Sequence, residues 1–216
     1  MNPLFITVEG LDGSGKSTQL RYVSSWLDKH RLAHRVTQEP GGTPLGDSIR
    51  AVFLDHKDEW TTVDGTVEAF LIFASRRQHL LEVIDPILAE GRHVVCDRFT
   101  DSTLAYQGYG RGVSLETLHE VDKLATACRV PDRTLLFDLP AAVARDRGHS
   151  PSRRSEPGGV DRLDAEDLAF YERVRAGYLE LASAEPDRFV VIDASGSIEQ
   201  TRDLLDAALT EIFGGG

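Results

Sequence analysis

Short apolar runs that alternate with longer segments of helical periodicity constrain the fold of this chain more than any other feature. Five runs of four or five mostly apolar residues are candidate strands: Leu4–Val8, Arg35–Gln38, His93–Cys96, Thr134–Asp138 and Phe189–Ile192. Continuous apolar runs are typical of strands that are buried on both faces. The segments between them are long enough for helical crossovers, which join parallel strands. The sequence therefore predicts a three-layer α/β/α fold around a five-stranded, mainly parallel sheet.

Six segments with helical periodicity accompany these strands: Lys16–His30, Thr43–Leu54, Val67–Glu90, Leu115–Ala127, Ala165–Ala184 and Ile198–Phe213. The pattern leaves open whether Val67–Glu90 is one helix or is broken. A further segment, from Arg145 to Arg162, is polar and rich in Gly, Pro, Ser and Arg, which is typical of a functional lid or of disorder. We expect one domain over residues 1–213, including a lid over about 142–162, and a flexible tail at 214–216.

Composition argues against two classes of partner. The formal net charge of −11 is opposite to the broad basic surface that nucleic-acid binding requires, so we expect no nucleic-acid partner. The sequence contains no run of about 18 apolar residues, and we therefore expect no membrane partner and a cytoplasmic protein. The two cysteines, Cys96 and Cys128, are interpreted as free thiols in a reducing compartment.

The motif "EGLDGSGKST", at Glu9–Thr18, follows the first predicted strand and opens the first predicted helix. Its spacing satisfies G-x-x-x-x-G-K-[ST], in which glycines let backbone N–H groups surround a phosphate at a helix N-terminus. Lys16 is expected to reach the β- and γ-phosphates as a catalytic residue, and the Ser17 hydroxyl is expected to coordinate Mg²⁺. The predicted ATP-binding residues are Gly10, Leu11, Asp12, Gly13, Ser14, Gly15, Lys16, Ser17 and Thr18.

A phosphate loop of this kind occurs in switch GTPases, in partner-moving ATPases and in small-molecule kinases. Switch GTPases need an N/T-K-x-D element, whereas here the only asparagine is Asn2 and no lysine follows a threonine. The switch GTPases are therefore excluded. A kinase, unlike an ATPase, should carry a second set of anion-binding and base-reading residues for its acceptor.

Three stretches supply such a second set: "QEPGGTPLGDSIR" (38–50), "FASRRQH" (73–79) and "CDRFTDSTLAYQGYGRG" (96–112). Together with the phosphate loop and "FYERVRAGYLELA" (170–182), they resemble the thymidylate kinase family of P-loop kinases. The resemblance implies a P-loop kinase fold and transfer of the γ-phosphoryl group of ATP to dTMP, with Mg²⁺ as cofactor. Two alternatives stay open: a P-loop kinase for another nucleotide or nucleoside, and a partner-stimulated ATPase.

The resemblance also assigns roles around the acceptor base. Phe73 is expected to stack on the thymine ring, because its flat π face suits that role. Thr103 and Gln107 are expected to hydrogen-bond the edge of the base, and Tyr106 to lie near the sugar. The dTMP-binding residues that the resemblance implies are Asp12, Glu39, Arg50, Phe73, Arg76, Arg98, Thr103, Tyr106 and Gln107.

On the phosphate side, Arg98 resembles the arginine that clamps the acceptor phosphate, and we expect it to be catalytic. Arg50 is expected to be a second contact to the acceptor. The spacing from Phe73 leaves open whether Arg76 or its neighbour Arg77 contacts the nucleotide. The expected metal-binding residues are Ser17 and Asp97.

The phosphate loop contains no arginine, so the resemblance implies that arginines of the lid stabilise the transferring phosphoryl group. The candidates are Arg145, Arg147, Arg153 and Arg154, with Arg147 favoured as catalytic and Arg153 second. The family is homodimeric, and we expect a homodimer here. Periodicity does not tell whether the apolar faces of Val67–Glu90 and Leu115–Ala127 are interface or core.

Overall fold

The computed structural model describes residues 2–54, 63–148, 163 and 166–214. Within these ranges five strands form one sheet in the order β2-β3-β1-β4-β5, and every strand pair is parallel. The strands are β1 (Phe5–Gly10), β2 (His34–Gln38), β3 (His93–Asp97), β4 (Arg133–Asp138) and β5 (Phe189–Asp193). All five predicted strands are present, and the predicted three-layer α/β/α class is confirmed.

Apolar side chains cover both faces of the sheet. In β1, Ile6 and Val8 belong to the largest core cluster, whereas Phe5 belongs to a second cluster with Leu80 and Ile84. Successive side chains of a strand point to opposite faces, so the two clusters lie on opposite sides of the sheet. All six residues of β1 are buried, as its continuous apolar run predicts.

The α-helices of the described residues are α1 (Lys16–Lys29), α2 (Pro44–Leu54), α3 (Gly65–His79), α4 (Asp85–Ala89), α5 (Thr100–Thr103), α6 (Leu115–Thr126), α7 (Ala141–Gly148), α8 (Leu168–Ala184) and α9 (Ile198–Gly214). A π-helical segment, Leu80–Ile84, joins α3 to α4, so the predicted segment Val67–Glu90 consists of three consecutive helical pieces. A second π-helical segment, Leu104–Gly110, continues α5. None of the helices described is both long and apolar enough to span a membrane.

Side-chain caps set where two of the long helices begin. The Asp64 carboxylate accepts a hydrogen bond from Thr66 N at 2.8 Å and begins α3. The Asp167 carboxylate accepts one from Phe170 N at 2.7 Å, and α8 therefore begins at Leu168. Because an N-cap carboxylate satisfies N–H groups that lack a partner in the first turn, it fixes the helix start. The predicted start at Ala165 was three residues too early.

Three further predictions of local structure are corrected. The predicted lid begins inside a helix, because α7 continues to Gly148; residues 149–162, which include Arg153 and Arg154, lie outside the described residues. The predicted tail began at Gly214, but α9 includes this residue. The stretch from Thr100 to Gly110 was not predicted as helical, yet it forms α5 and the second π-helical segment.

Candidate active site

The carboxyl ends of the parallel strands meet at one edge of the sheet, where a cavity of about 380 Å³ lies. The phosphate loop reaches this cavity from β1, Glu39 and Pro40 reach it from β2, and Arg98 reaches it from β3. The predicted site residues that border it are Asp12, Gly13, Gly15, Lys16, Ser17, Thr18, Glu39, Arg50, Arg76, Asp97, Arg98, Thr103, Tyr106, Gln107 and Arg147. The fold thus brings most of the predicted donor and acceptor residues around one space.

The phosphate loop requires glycine at two positions. Gly10 has φ +137° and Gly13 has φ +84°, both in the region that side chains disfavour. A Cβ on Gly10 would lie 2.5 Å from the Phe137 carbonyl oxygen, and one on Gly13 would lie 2.1 Å from the Ala144 carbonyl oxygen. The loop is therefore packed tightly against β4 and α7. It leads directly into the N-terminus of α1, where backbone N–H groups and the helix dipole favour an anion.

Lys16, at the first position of α1, lies folded over this loop. Its Nζ donates to the Gly10 carbonyl at 2.9 Å and to the Leu11 carbonyl at 2.7 Å. Burial, together with the charge of Arg98, lowers the pKa of Lys16 to about 8. The ammonium group is therefore held by neutral carbonyl oxygens, which an incoming phosphate would replace with stronger, charged partners.

Arg98 contacts both the phosphate loop and residues of α5 and α8. Its Nη2 donates to Asp12 Oδ1 at 2.7 Å, and its Nη1 donates to the Ser102 hydroxyl at 2.9 Å and to the Tyr178 hydroxyl at 3.2 Å. The Tyr106 hydroxyl donates to Asp12 Oδ2 at 2.9 Å. The Arg98 side chain stays 17% exposed, so a guanidinium held on several sides still borders the cavity.

Glu9, which the sequence analysis did not single out as a site residue, lies fully buried behind Arg98. Its Oε1 accepts a hydrogen bond from Phe99 N at 2.7 Å, and its Oε2 accepts from the Ser102 hydroxyl at 2.5 Å and the Tyr178 hydroxyl at 3.1 Å. Burial raises the pKa of Glu9 to about 7; the charge of Asp101 adds to this effect. A carboxylate at the end of a buried apolar run was the signal in the sequence.

Arg76 is 1% exposed and its three guanidinium nitrogens have different partners. Nε donates to Glu39 Oε2 at 2.7 Å, Nη1 to Asp122 Oδ1 at 3.3 Å, and Nη2 to the Thr103 hydroxyl at 3.0 Å. Arg77 is exposed, whereas Arg76 borders the cavity. Of the two arginines that the spacing left open, the structure therefore places Arg76 at the site.

Glu39, His79 and Cys96 have potential metal-ligand atoms within 4.8 Å of one another. Their hydrogen bonds account for this closeness without a metal. The Glu39 carboxylate binds Arg76 at 2.7 Å and His79 Nδ1 at 2.9 Å, and His79 Nε2 bonds the Thr37 hydroxyl at 2.7 Å. A buried guanidinium beside the carboxylate also disfavours a cation there. We interpret the cluster as a hydrogen-bond network that holds Glu39, and through it the Arg76 side chain, in position.

The model of a family described as Thymidylate kinase matches residues 8–205.

The chain belongs to the thymidylate kinase family.

Curated relatives named "Thymidylate kinase" include one from Desulfosudis oleivorans, 44% identical over 97% of both chains, and one from Pseudomonas putida, 43% identical over 99% of this chain and 98% of its own. A solved structure, that of thymidylate kinase from Ehrlichia chaffeensis, superposes with a TM-score of 0.74 at 30% identity, covering 97% of this chain and 99% of that one. The predicted family is confirmed, and the chain is accordingly an ATP-using kinase.

One residue assignment from the thymidylate kinase family resemblance does not fit the geometry. Phe73 packs in a core cluster with Leu104 and Leu118, and its ring centre lies 5.2 Å from the guanidinium carbon of Arg76. Ile72, one position earlier, borders the cavity instead. Adjacent residues of a helix point about 100° apart, so an error of one position exchanges a core side chain for a cavity side chain. The structure therefore brings Ile72, and not Phe73, to the cavity, and the expected contact of Phe73 with the base has no support in this geometry.

Two of the predicted arginines, Arg50 and Arg147, border the cavity, and each donates a hydrogen bond to a backbone carbonyl. Arg50 Nη1 donates to the Pro40 carbonyl at 3.0 Å, and Arg147 Nη1 donates to the Ala194 carbonyl at 3.2 Å. Arg147 belongs to α7, so a helix rather than a loop positions it in this member of the thymidylate kinase family. The second lid candidate, Arg153, lies outside the described residues.

Two oxygen donors at the cavity suit a divalent cation. Ser17 is exposed in the first turn of α1, and Asp97 ends β3. The buried Oδ1 of Asp97 has no hydrogen-bond partner within the part of the chain that the structure describes. Mg²⁺ prefers carboxylate and other oxygen ligands. The residues present therefore fit the metal expected in a kinase of the thymidylate kinase family.

Proposed function

We propose that this protein transfers the γ-phosphoryl group of ATP to dTMP, giving ADP and dTDP. The observation that carries the proposal is a single cavity with two kinds of anion-binding wall. The glycine-built phosphate loop with Lys16 forms one wall, and Arg76 and Arg98 lie on the other. Family membership supports the kinase over a partner-stimulated ATPase.

The donor is bound by the phosphate loop and the N-terminus of α1. In this proposal Lys16 leaves its carbonyl partners and binds the β- and γ-phosphates, since a phosphate oxygen is a stronger acceptor for an ammonium group. Ser17 and Asp97 would hold Mg²⁺, which supplies positive charge beside the phosphates when it is bound. Arg147 would add charge stabilisation from the end of α7. The donor-binding residues proposed are those from Gly10 to Thr18.

The acceptor is bound on the opposite wall. Arg98 would hold the phosphate of dTMP, with Arg50 as a second contact. Arg76, Thr103 and Gln107, which border the same cavity, would contact the base. Tyr106 and Asp12, which are hydrogen-bonded to each other, would lie near the sugar, and Glu39 orients Arg76. The acceptor atom is already an anionic phosphate oxygen, so the reaction needs alignment and charge stabilisation and no strong base.

We also propose that the protein is a homodimer. α3 exposes Val67 by 49% and Phe70 by 56%, and these residues are one helical turn apart on the same face. A Phe70→Glu variant is expected to shift the molecular mass measured by light scattering from dimer to monomer. A monomeric wild-type protein would contradict this proposal. The expected cytoplasmic location and the expected lack of a nucleic-acid partner stay predictions.

Steady-state assays with ATP and each common nucleoside monophosphate test the proposed reaction. We expect kcat/KM for dTMP to exceed that for dCMP, dGMP and dAMP by at least tenfold, because buried polar groups reject a base that leaves them without a partner (roughly 1–3 kcal/mol each). Equal rates for all acceptors would overturn the substrate assignment. A clear preference for a different monophosphate would favour a kinase for another nucleotide.

A further inference from the structure

We propose that Glu68 orients the side-chain amide of Gln107, and that this orientation makes the enzyme select bases with a ring N–H. The inference rests on the proposed function, since it concerns how the same cavity distinguishes dTMP from dCMP. It assigns a specificity role to a buried carboxylate of α3 that does not itself border the cavity.

Gln107 lies in the second π-helical segment, is 1% exposed and borders the cavity. Its Nε2 donates to Glu68 Oε2 at 2.8 Å. Glu68 is fully buried, and Arg111 Nη2 lies 3.2 Å from its other oxygen, Oε1. A carboxylate paired with a guanidinium has only acceptor atoms. The chemistry of Glu68 therefore requires that the nitrogen of the Gln107 amide, and not its oxygen, faces α3.

The other end of the amide is consequently an acceptor. Gln107 Oε1 is buried and has no hydrogen-bond donor among the described residues. A buried acceptor without a partner is destabilising, so a ligand that brings a donor to this oxygen is favoured. Thymine carries such a donor, because its ring N3 bears a hydrogen. Cytosine has a lone pair at N3, and two acceptors would then face each other.

Neighbouring contacts keep the Glu68 carboxylate in place. Arg111 also pairs with Glu166 at 2.7 Å, and its guanidinium lies 4.8 Å from the centre of the Phe170 ring. Arg111 is thus fixed from two sides besides Glu68. The same contacts offer a purely structural account, in which Glu68 only joins α3 to the Arg111 segment. That account predicts lower stability without any change in the choice of base, so the two roles have different readouts.

The test is the ratio of kcat/KM for dTMP to kcat/KM for dCMP. Glu68→Gln keeps the size of the side chain but supplies both a donor and an acceptor, so the Gln107 amide is no longer held in one orientation. We expect the ratio to fall at least tenfold. Glu166→Gln is the matched control, because it also removes a carboxylate partner of Arg111 but leaves the Glu68–Gln107 contact intact; its ratio should stay within twofold of wild type.

A double-mutant cycle sharpens the test. In a Gln107→Leu background, Glu68→Gln should leave the ratio unchanged, because no amide remains to be oriented. An equal loss of activity toward dTMP and dCMP in the Glu68→Gln single variant would overturn the inference. If that variant does not fold, Glu68→Asp withdraws the carboxylate by one methylene and should lower the ratio at least threefold; an unchanged ratio there would equally overturn it.

The outcome separates this inference from the function on which it rests. If the wild-type enzyme shows no preference for dTMP over dCMP, both the proposed function and the inference are contradicted. If the wild-type enzyme prefers dTMP and the Glu68 variants keep the same ratio, the inference alone is contradicted and the proposed function is not.

Discussion

The two walls of the cavity are built in different ways. The phosphate loop is one uninterrupted stretch, and its shape comes from backbone torsions at Gly10 and Gly13. The acceptor wall consists of side chains from separate parts of the chain: Arg76 contacts Glu39, Thr103 and Asp122, which belong to three other segments. One wall uses backbone groups that every residue carries, and the other uses charged side chains buried against one another.

This difference has consequences for substitutions. Lys16 can be replaced without leaving a buried charge alone, because its Nζ hydrogen-bonds the Gly10 and Leu11 carbonyls. The carboxylate of Asp12, 4.0 Å from that nitrogen, keeps its ion pair with Arg98 at 2.7 Å. Removing one member of a buried ion pair leaves its partner charged and desolvated, which destabilises the protein by about 3–5 kcal/mol. We therefore expect replacement of Lys16 to affect the rate alone, and changes in the acceptor wall to affect both rate and stability.

The largest effect is expected for Lys16→Met. Loss of the ammonium group removes charge stabilisation from the transferring phosphoryl group, and kcat should fall about 1,000-fold. The free energy of unfolding should stay the same or rise, because burial already disfavours the charged lysine and lowers its pKa to about 8. Steady-state kinetics and urea unfolding measure the two quantities. Lys29→Met, an exposed position of the same helix, is the control; a destabilised or fully active Lys16 variant would break the comparison.

Arg76→Lys is expected to lower activity less than Lys16→Met does, but to lower stability as well. A single ammonium group does not replace three nitrogens that bind Glu39, Asp122 and Thr103 in three directions. We expect the free energy of unfolding to fall by about 3 kcal/mol, and kcat/KM for dTMP to fall about 30-fold. Arg77→Lys, at the exposed neighbouring position, should change neither quantity. Full stability of the Arg76 variant would show that the acceptor wall does not depend on this network.

The same contrast explains what the sequence could and could not predict. The loop was predictable because its contacts depend on residue spacing within one short segment, and the strands were predictable because burial on both faces leaves continuous apolar runs. The choice between Arg76 and Arg77 needed the packing of α3 against α2 and α6, which spacing alone does not contain. Spacing also could not tell which of Ile72 and Phe73 borders the cavity, since both are apolar and either satisfies the helical pattern.

Glu9 and Glu68 show a second limit of the sequence. Both are buried carboxylates within apolar segments, and that contrast is the only local sign of their role. Their partners, among them Tyr178 for Glu9 and Gln107 for Glu68, are distant in the chain. A hydrogen-bond network of this kind depends on tertiary contacts, so no periodicity or motif spacing predicts it.

The third prediction concerns Glu9, which lies near the end of β1, next to the phosphate loop, but whose hydrogen bonds join it to the acceptor wall. Burial raises its pKa from 4.5 to about 7, with Asp101 adding to the shift and Arg98 opposing it. Between these pH values the folded protein binds more protons than the unfolded chain, so the contribution of Glu9 to stability is present at low pH and is lost as pH rises through 7.

A comparison with Glu9→Gln isolates this contribution, because glutamine does not titrate. Relative to the variant, the wild-type free energy of unfolding should fall by about 2 kcal/mol between pH 5 and pH 8. Urea unfolding at both pH values measures the difference. Parallel pH profiles for the two proteins would mean that Glu9 keeps an ordinary pKa and that its burial in the acceptor wall does not affect its titration.

The smallest effect distinguishes the cavity side of α3 from its core side. Ile72 borders the cavity, so Ile72→Val removes one methylene group from the cavity lining. Loss of this contact, worth about 0.8 kcal/mol, should lower kcat/KM for dTMP about fourfold. Phe73→Leu removes contacts within the core cluster and should lower the free energy of unfolding by about 1 kcal/mol. The same variant should keep kcat/KM for dTMP within twofold of wild type. If Phe73→Leu impairs dTMP use more than Ile72→Val does, the aromatic ring faces the base after all, and the acceptor wall includes a side chain that the structure assigns to the core.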